Sequence, residues 1–89
     1  MKKMVKVEEV EGEGLIGLLG EQVILFCLNY IYTGTLSGVN TTCIKLDNPK
    51  IVFDTGAFNS TSFATAESLP NSLYIQTGAI ESFHKTDKR

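Results

Sequence analysis

The residues that decide the fold are 18–46, LLGEQVILFCLNYIYTGTLSGVNTTCIKL. A continuous apolar run follows Gly20, and a segment rich in aromatic and β-branched residues comes directly after it. Such runs, separated by short polar turns, predict closely spaced antiparallel strands. Gly34 lies inside the second strand, where a glycine allows a sharp bend. The pattern predicts a small bent barrel whose first three strands are about Gln22 to Leu28, Tyr30 to Gly38 and Thr42 to Asp47.

The residues before this stretch predict a short N-terminal helix. Leu15, Ile16, Leu18 and Leu19 recur at helical spacing, and Gly20 ends the pattern after about two turns. Residues 1–14 are expected to form a flexible acidic arm, and Val5, Val7 and Val10 leave a short extra strand as an alternative. We expect the helix to depend on packing against the barrel, since helices this short are marginal alone.

The residues after Leu46 predict the remaining strands. Pro49 interrupts the third strand, and the apolar residues 51–53 either continue that strand or begin a separate hairpin. Residues 54–71 are small and polar and predict a long loop, and residues 84–89 predict a polar tail. The last two strands are predicted at Leu73–Gln76 and Ala79–Phe83. Residues 1–89 are thus expected to form one domain, an all-β, five-stranded, strongly bent antiparallel barrel with a short N-terminal helix.

Composition narrows the possible partners. The 89-residue chain has a formal net charge of −2 and a pI of about 5.2, so it lacks the basic surface of double-stranded DNA-binding proteins. No apolar run reaches transmembrane length and no signal peptide is evident, so we expect a cytoplasmic protein without a membrane partner. Cys27 and Cys43 lie inside predicted strands and are expected to be buried, reduced thiols, although neighbouring strands leave a disulfide possible.

Motifs for catalysis or cofactor binding are weak. Residues 12–17 read G-x-G-x-x-G, but the preceding segment is charged and no acidic residue lies near position 38, so a dinucleotide site is not expected. His84 is the single histidine, and no Cys/His spacing typical of a metal site occurs. No nucleophile–base pair is evident. The sequence therefore predicts a protein without catalytic residues, metal or cofactor.

The order of residues resembles the Sm-like family, whose members form rings that usually bind RNA. Leu18, Leu19, Gly20 and Val23 match the start of the family's first motif, and Gly34 with Leu36 matches its G-x-L strand. Residues 75–80, IQTGAI, are similar to the second motif, which centres on Ile-Arg-Gly. The resemblance covers residues 15–53 and 73–83 and implies a homo-oligomeric ring whose last two strands form the subunit seam. The implied interface residues are Leu73, Tyr74, Ile75, Ala79, Ile80 and Phe83.

The resemblance also implies where single-stranded, U-rich RNA would bind, at the pore-side loops. The family's pocket typically offers an aspartate, an aromatic residue and an asparagine in the third loop, whereas this chain has Asn40 and Thr42 at the first two places. Asn40 is expected to donate to and accept from a base edge, but no stacking group is evident. The implied RNA-binding residues are Asn40, Thr41, Thr42, Thr77 and Gly78. The alternative is a structural or protein-binding ring that has lost RNA binding.

Overall fold

The structure of the protein is a computed structural model that describes residues 14–57 and 59–88. The described residues form six strands in one antiparallel sheet with very little helix. Short turns join the first three strands, as the spacing of their apolar segments predicts. The strands are β1 Gln22–Cys27, β2 Ile31–Val39, β3 Cys43–Asp54, β4 Thr65–Ser68, β5 Leu73–Gln76 and β6 Ile80–Lys85.

The long strand β3 organises the sheet. The strand order is β4-β3-β2-β1-β6, and β5 also pairs with β3. The first part of β3 pairs with β5 and its second part with β4, so these two strands lie one after the other along the same edge of β3. Pro49 lies between the two pairings, where β3 needs no ladder donor on that side. The continuation of the third strand through Pro49 is confirmed, and the separate hairpin is not formed.

The sheet bends where Gly34 meets β3. In the β2–β3 ladder Thr33 pairs with Lys50 and Thr35 with Asp47, so Gly34 lies opposite two residues, Asn48 and Pro49. This is a β-bulge, which bends the strands and increases their twist. A Cβ on Gly34 would lie only 3.0 Å from the backbone oxygen of Asp47, and Asn48 has a positive φ of 49°. The glycine is therefore needed for the close approach of two backbones.

The core lies inside the bend. Its buried residues come from β1, β2, β3 and β5, which alternate inward and outward as strands do. Further half-buried side chains pack around it, including Leu15 and Leu18 from the N-terminal turn. The buried core residues are Val23, Leu25, Leu36, Ile44, Leu46 and Ile75.

Side chains on the opposite face of the bent sheet are buried as well. Ile24 alternates with the core residues of β1, and its ladder partner Thr33 is fully buried and donates from Oγ1 to the Val23 carbonyl at 2.8 Å. Near the chain end, Lys88 is only 6% exposed. Its Nζ donates to the carbonyls of Thr55 and Ala57 at 2.9 and 2.8 Å and lies 5.5 Å from the Phe63 ring centroid. The end of the chain thus holds the β3–β4 connection in place.

Three expectations are corrected. The predicted two-turn helix is a single 3₁₀ turn, Ile16–Leu18, whose residues are not buried, because Gly17 and Gly20 leave too few residues for an α-helix. The sheet has six strands rather than five, since β4 forms inside the predicted 54–71 loop. Ala79 belongs to a 3₁₀ turn, Thr77–Ala79, and not to the last strand. The acidic arm lies almost entirely outside the described residues.

Candidate functional site

Two loops that are far apart in sequence meet at one end of the sheet. Residues 40–42 connect β2 to β3, and the 3₁₀ turn Thr77–Ala79 connects β5 to β6. Thr77 joins them, because its N–H donates to the Thr42 carbonyl at 2.9 Å and its Oγ1 lies 3.1 Å from the Thr41 carbonyl. The β3–β5 ladder continues into this contact. The five residues implied by the family resemblance therefore come together, and we call them the loop cluster: Asn40, Thr41, Thr42, Thr77 and Gly78.

Asn40 holds its own loop in shape. Its Oδ1 accepts hydrogen bonds from the Thr42 N–H at 2.8 Å, the Thr42 hydroxyl at 3.0 Å and the Cys43 N–H at 2.9 Å. These bonds form an Asx turn that carries the chain into β3. The backbone N–H of Asn40 donates to the Cys43 carbonyl at 2.9 Å, whereas its side-chain Nδ2 makes no hydrogen bond to any described residue. Asn40 can thus offer a ligand its NH₂ donors, whereas the acceptor half expected from the sequence is already engaged.

Gly78 is exposed at the tip of the turn. A Cβ placed on it would meet no atom within 4 Å, and its φ is not positive. Neither backbone conformation nor close packing therefore requires glycine here within the described chain. A side chain at this position would instead protrude from the loop cluster, so glycine leaves that surface open.

An exposed aromatic residue that the sequence analysis did not place in the site lies beside the loop cluster. The side chains of β5 alternate, so Tyr74 and Gln76 point outward while Ile75 joins the core. Tyr74 is 65% exposed and pairs across the ladder with Lys45, whose Nζ lies 6.0 Å from the ring centroid. A cleft of about 550 Å³ adjoins this pair. The residues lining the cleft are Thr42, Cys43, Tyr74 and Gln76.

A second, more apolar groove lies between β5 and the β1–β2 hairpin. Its volume is about 270 Å³, and three of its lining residues are large exposed hydrophobic residues. Leu28 is 70% exposed, Tyr30 53% and Tyr74 65%. Exposed apolar residues that cluster in this way are typical of interaction surfaces. We call this feature the hairpin groove.

The implied interface residues differ in where their side chains lie. Ile75 is buried in the core of its own subunit, and Leu73, Ile80 and Phe83 pack partly buried against that core. Tyr74 is the most exposed of the set, and Ala79 lines the hairpin groove. These strands can therefore contact a neighbour mainly through their backbone edges and through Tyr74.

Both cysteines are free thiols and half-buried, so the expected full burial is wrong for both. Cys27 lines the hairpin groove, while Cys43 lines the outer cleft next to Thr42. Burial raises the pKa of Cys27. The pKa of Tyr32 in the same groove is raised by burial and, to a smaller extent, by Cys27 and Tyr30. Both shifts favour the uncharged forms of Cys27 and Tyr32, which suits an apolar contact.

The raised pKa of Cys27 predicts its reactivity. In a Cys43→Ser variant, iodoacetamide should label Cys27 slowly at neutral pH, because the thiolate is the nucleophile and little of it is present. The labelling rate should still be rising above pH 9.0, the ordinary pKa of the thiol, whereas the urea-unfolded chain should level off near that pH. Mass spectrometry of timed samples measures both rates. Equal pH profiles for the folded and unfolded chains would contradict the raised pKa.

The described residues provide no evident catalytic or metal centre. Within residues 14–57 and 59–88, no three His, Cys, Asp or Glu side chains gather to hold a metal ion. His84 is exposed, with Nδ1 2.8 Å from the Lys85 carbonyl and its ring centroid 6.0 Å from that of Phe26. The G-x-G-x-x-G segment begins outside the described residues and leads into a single 3₁₀ turn rather than a helix. Among the described residues there is also no helix long and apolar enough to cross a membrane.

Comparison with known proteins finds a likeness in structure rather than in sequence. No family model matches the sequence, and no curated protein matches it. Among solved structures, the chain is similar to a heptameric archaeal Sm protein, with a TM-score of 0.62 and 11% sequence identity. The match covers 81% of this chain and 94% of the archaeal chain. At this identity the likeness concerns architecture, and it agrees with the bent antiparallel sheet described above: the chain has the Sm fold.

Proposed function

We propose that this protein is a non-catalytic subunit that assembles with copies of itself into a closed ring, and that the ring binds single-stranded, U-rich RNA weakly at the loop cluster. The observation that carries the proposal is the pair of unpaired strand edges at β5 and β6. Among the described residues each of these strands pairs on one side only, with β3 and β1 respectively, and the short β4 likewise pairs only with β3. Unpaired edges are templates for another strand, and ring closure would satisfy both.

The backbone donors that face outward can be named. N–H groups of alternate residues point to the same neighbour in an antiparallel ladder. The Thr77 N–H bonds to the carbonyl of Thr42, the residue directly before β3, so Tyr74 and Gln76 on β5 direct their N–H groups away from β3. Likewise the Thr86 N–H bonds to Gln22, so Phe83 and Lys85 direct theirs away from β1. The Ile80 N–H already bonds to the Thr77 carbonyl and is not a seam donor.

The hairpin groove supports the same seam. It runs beside the free edge of β5, and a strand added there would cover Leu28 and Tyr30. Full burial of a large apolar side chain is worth about 1.5–3 kcal/mol, so partial cover of two would add to the backbone hydrogen bonds. The similar archaeal Sm protein is heptameric, which favours a ring over an open chain.

The loop cluster supports RNA binding because its hydroxyls and the free NH₂ group of Asn40 gather on one surface. The net charge of −2 argues for weak binding with a shallow salt dependence, since few counterions would be released. The same charge supports the second candidate, a structural or protein-binding ring without RNA. Copies of a weak site around a ring would raise the overall affinity through avidity. A cytoplasmic location would keep both thiols reduced and is proposed with it.

Native mass spectrometry and RNA titration test the two parts separately. We expect a closed homo-oligomer and measurable binding of a labelled uridine oligonucleotide at low salt. Asn40→Asp keeps the oxygen that forms the turn but removes the NH₂ donors, so it should abolish binding with little change in stability. Asn40→Ala should also abolish binding and lower the free energy of unfolding by about 1–2 kcal/mol, because turn hydrogen bonds are lost.

Asn71→Asp is the charge control, because it adds the same charge in the β4–β5 connection, and it should bind like the wild type. A monomer at micromolar concentration would reject the ring. A ring that binds no single-stranded RNA even at low salt would leave the protein-binding ring as the function. Tight binding at physiological salt that survives Asn40→Asp would place the RNA elsewhere.

A further inference from the structure

The outer face of β3 and β5 carries side chains suited to a nucleotide. Two ladder pairs face outward there, Lys45 with Tyr74 and Cys43 with Gln76. The Tyr74 ring is 65% exposed and has a lysine ammonium 6.0 Å from its centroid. Exposed aromatic side chains on a sheet are a recurrent surface for stacking the unpaired bases of single-stranded RNA. A nearby cation can meet the phosphate of the same nucleotide.

Gln76 adds a polar group that can read a base edge. Its side chain is exposed and makes no hydrogen bond to any described residue. An amide can donate and accept at once, which matches the edge of a uracil or an adenine. The adjoining cleft of about 550 Å³ falls within the range of pockets that hold small ligands. Stacking and hydrogen bonding are therefore available within one cleft, and the Lys45 ammonium group adds a positive charge beside the Tyr74 ring.

This outer surface is continuous with the loop cluster. Thr42 belongs to the loop cluster and also lines the cleft, and Gln76 is followed directly by Thr77. The loop cluster has donors but no flat group, whereas the outer face has an exposed ring. One base stacked on Tyr74 and a neighbouring nucleotide hydrogen-bonded to Asn40 would thus use the two surfaces together.

We infer that Tyr74 is the base-stacking residue for single-stranded RNA in this protein, with Lys45 on the phosphate and Gln76 on the base edge. The inference rests on the proposed RNA binding and moves the stacking group from the loops to the outer face of β5. Tyr74 also lines the hairpin groove beside the proposed seam, so its side chain can serve stacking, assembly or both, and oligomer mass has to be measured together with RNA affinity.

Titration with a labelled uridine oligonucleotide at low salt tests this inference, with oligomer mass measured in parallel. Tyr74→Ala should weaken binding about 5- to 140-fold, the range expected for loss of one stacked base. Tyr74→Phe keeps the ring and should bind within about twofold of the wild type. Lys45→Gln should reduce the slope of log affinity against log salt by about one phosphate contact. A 4-thiouridine oligonucleotide should cross-link to Tyr74 on irradiation.

The outcomes separate this inference from the proposed function. Wild-type affinity in Tyr74→Ala, together with lost binding in Asn40→Asp, would overturn the stacking role and leave RNA binding at the loops. A smaller oligomer in Tyr74→Ala, with no cross-link at Tyr74 in the wild type, would assign the Tyr74 side chain to the subunit seam instead. Absence of any RNA binding by the wild type would overturn both. Weakened binding at unchanged mass in Tyr74→Ala, with rescue by Tyr74→Phe, is the supporting result.

Discussion

Replacing Gly34 with valine is expected to lower the free energy of unfolding by about 3 kcal/mol, the upper end for overpacked sites. A Cβ at this position would lie 3.0 Å from the Asp47 carbonyl oxygen, 3.2 Å from the Leu46 Cβ and 3.3 Å from the Pro49 Cα. Two of these atoms belong to the backbone of β3 at the bulge, so they cannot move without opening the bend. Urea unfolding followed by circular dichroism measures the loss, at one fixed protein concentration because assembly also contributes to stability.

Gly38→Ala is the matched control for this prediction. It changes another glycine of the same strand, but the new Cβ would make only an ordinary contact of 3.5 Å with the Lys45 Cβ. Its effect should be small, and reduced freedom of the unfolded chain offers about 0.4–1 kcal/mol of stabilisation where the backbone fits. Equal losses of unfolding free energy in both variants would show that any added side chain destabilises β2 and that the bend at Gly34 does not need a glycine.

The bent sheet follows from features that a sequence shows directly. The apolar runs of β1 and β2 are short and separated by a polar turn, and Gly34 interrupts β2 where the bulge forms. The strand through Pro49 was one of two alternatives, because a proline normally ends a central strand. In the structure β5 pairs with β3 before Pro49 and β4 pairs with β3 after it, so the strand can continue through the proline. A local sequence pattern cannot show these long-range pairings.

The errors arise where tertiary contacts outweigh local preference. Residues Thr65–Ser68 have exposed, mostly polar side chains and become β4 because they pair with the second half of β3. Four such residues lack the alternating apolar pattern that identifies a strand in a sequence. The sequence predicts a polar tail that includes Lys88, yet the ammonium group of Lys88 is buried against two carbonyls supplied by residues more than 30 positions away. Buried lysines are rare, so composition predicts the opposite.

The candidate site likewise has features that the sequence predicts and features that depend on tertiary contacts. Residues 40–42 and 77–78 were grouped by resemblance to a family, and the hydrogen bonds of Thr77 bring them together. Tyr74 was expected at a subunit seam, and its alternation with buried Ile75 was the available sign that its ring points outward. Its partner Lys45 is 29 residues away, and only the β3–β5 register brings the two together. The outward direction of the Tyr74 side chain was thus predictable from the alternation within β5, whereas the set of residues that surrounds it was not.

Gln76→Pro is expected to open the ring into smaller species while leaving the subunit folded. The Gln76 N–H points away from β3, so proline removes a seam donor and no bond of the β3–β5 ladder. The backbone already has φ of −68° at this residue, close to the value that proline imposes, so little strain is added. Gln76→Ala keeps the N–H and should retain the oligomer mass of the wild type. Native mass spectrometry and circular dichroism measure assembly and folding separately.

Lys85→Pro tests the other edge, because the Lys85 N–H points away from β1 on β6. Lys85→Ala controls for loss of the exposed ion pair with Glu21, which contributes little to stability. Each proline variant retains one intact edge, so an equal mixture of the two should give heterodimers in which β6 of the Gln76→Pro chain pairs with β5 of the Lys85→Pro chain. The blocked edges at either end then prevent further growth, as a head-to-tail contact requires. Full-sized rings from either variant alone, or no heterodimer from the mixture, would show that β5 and β6 do not form the seam.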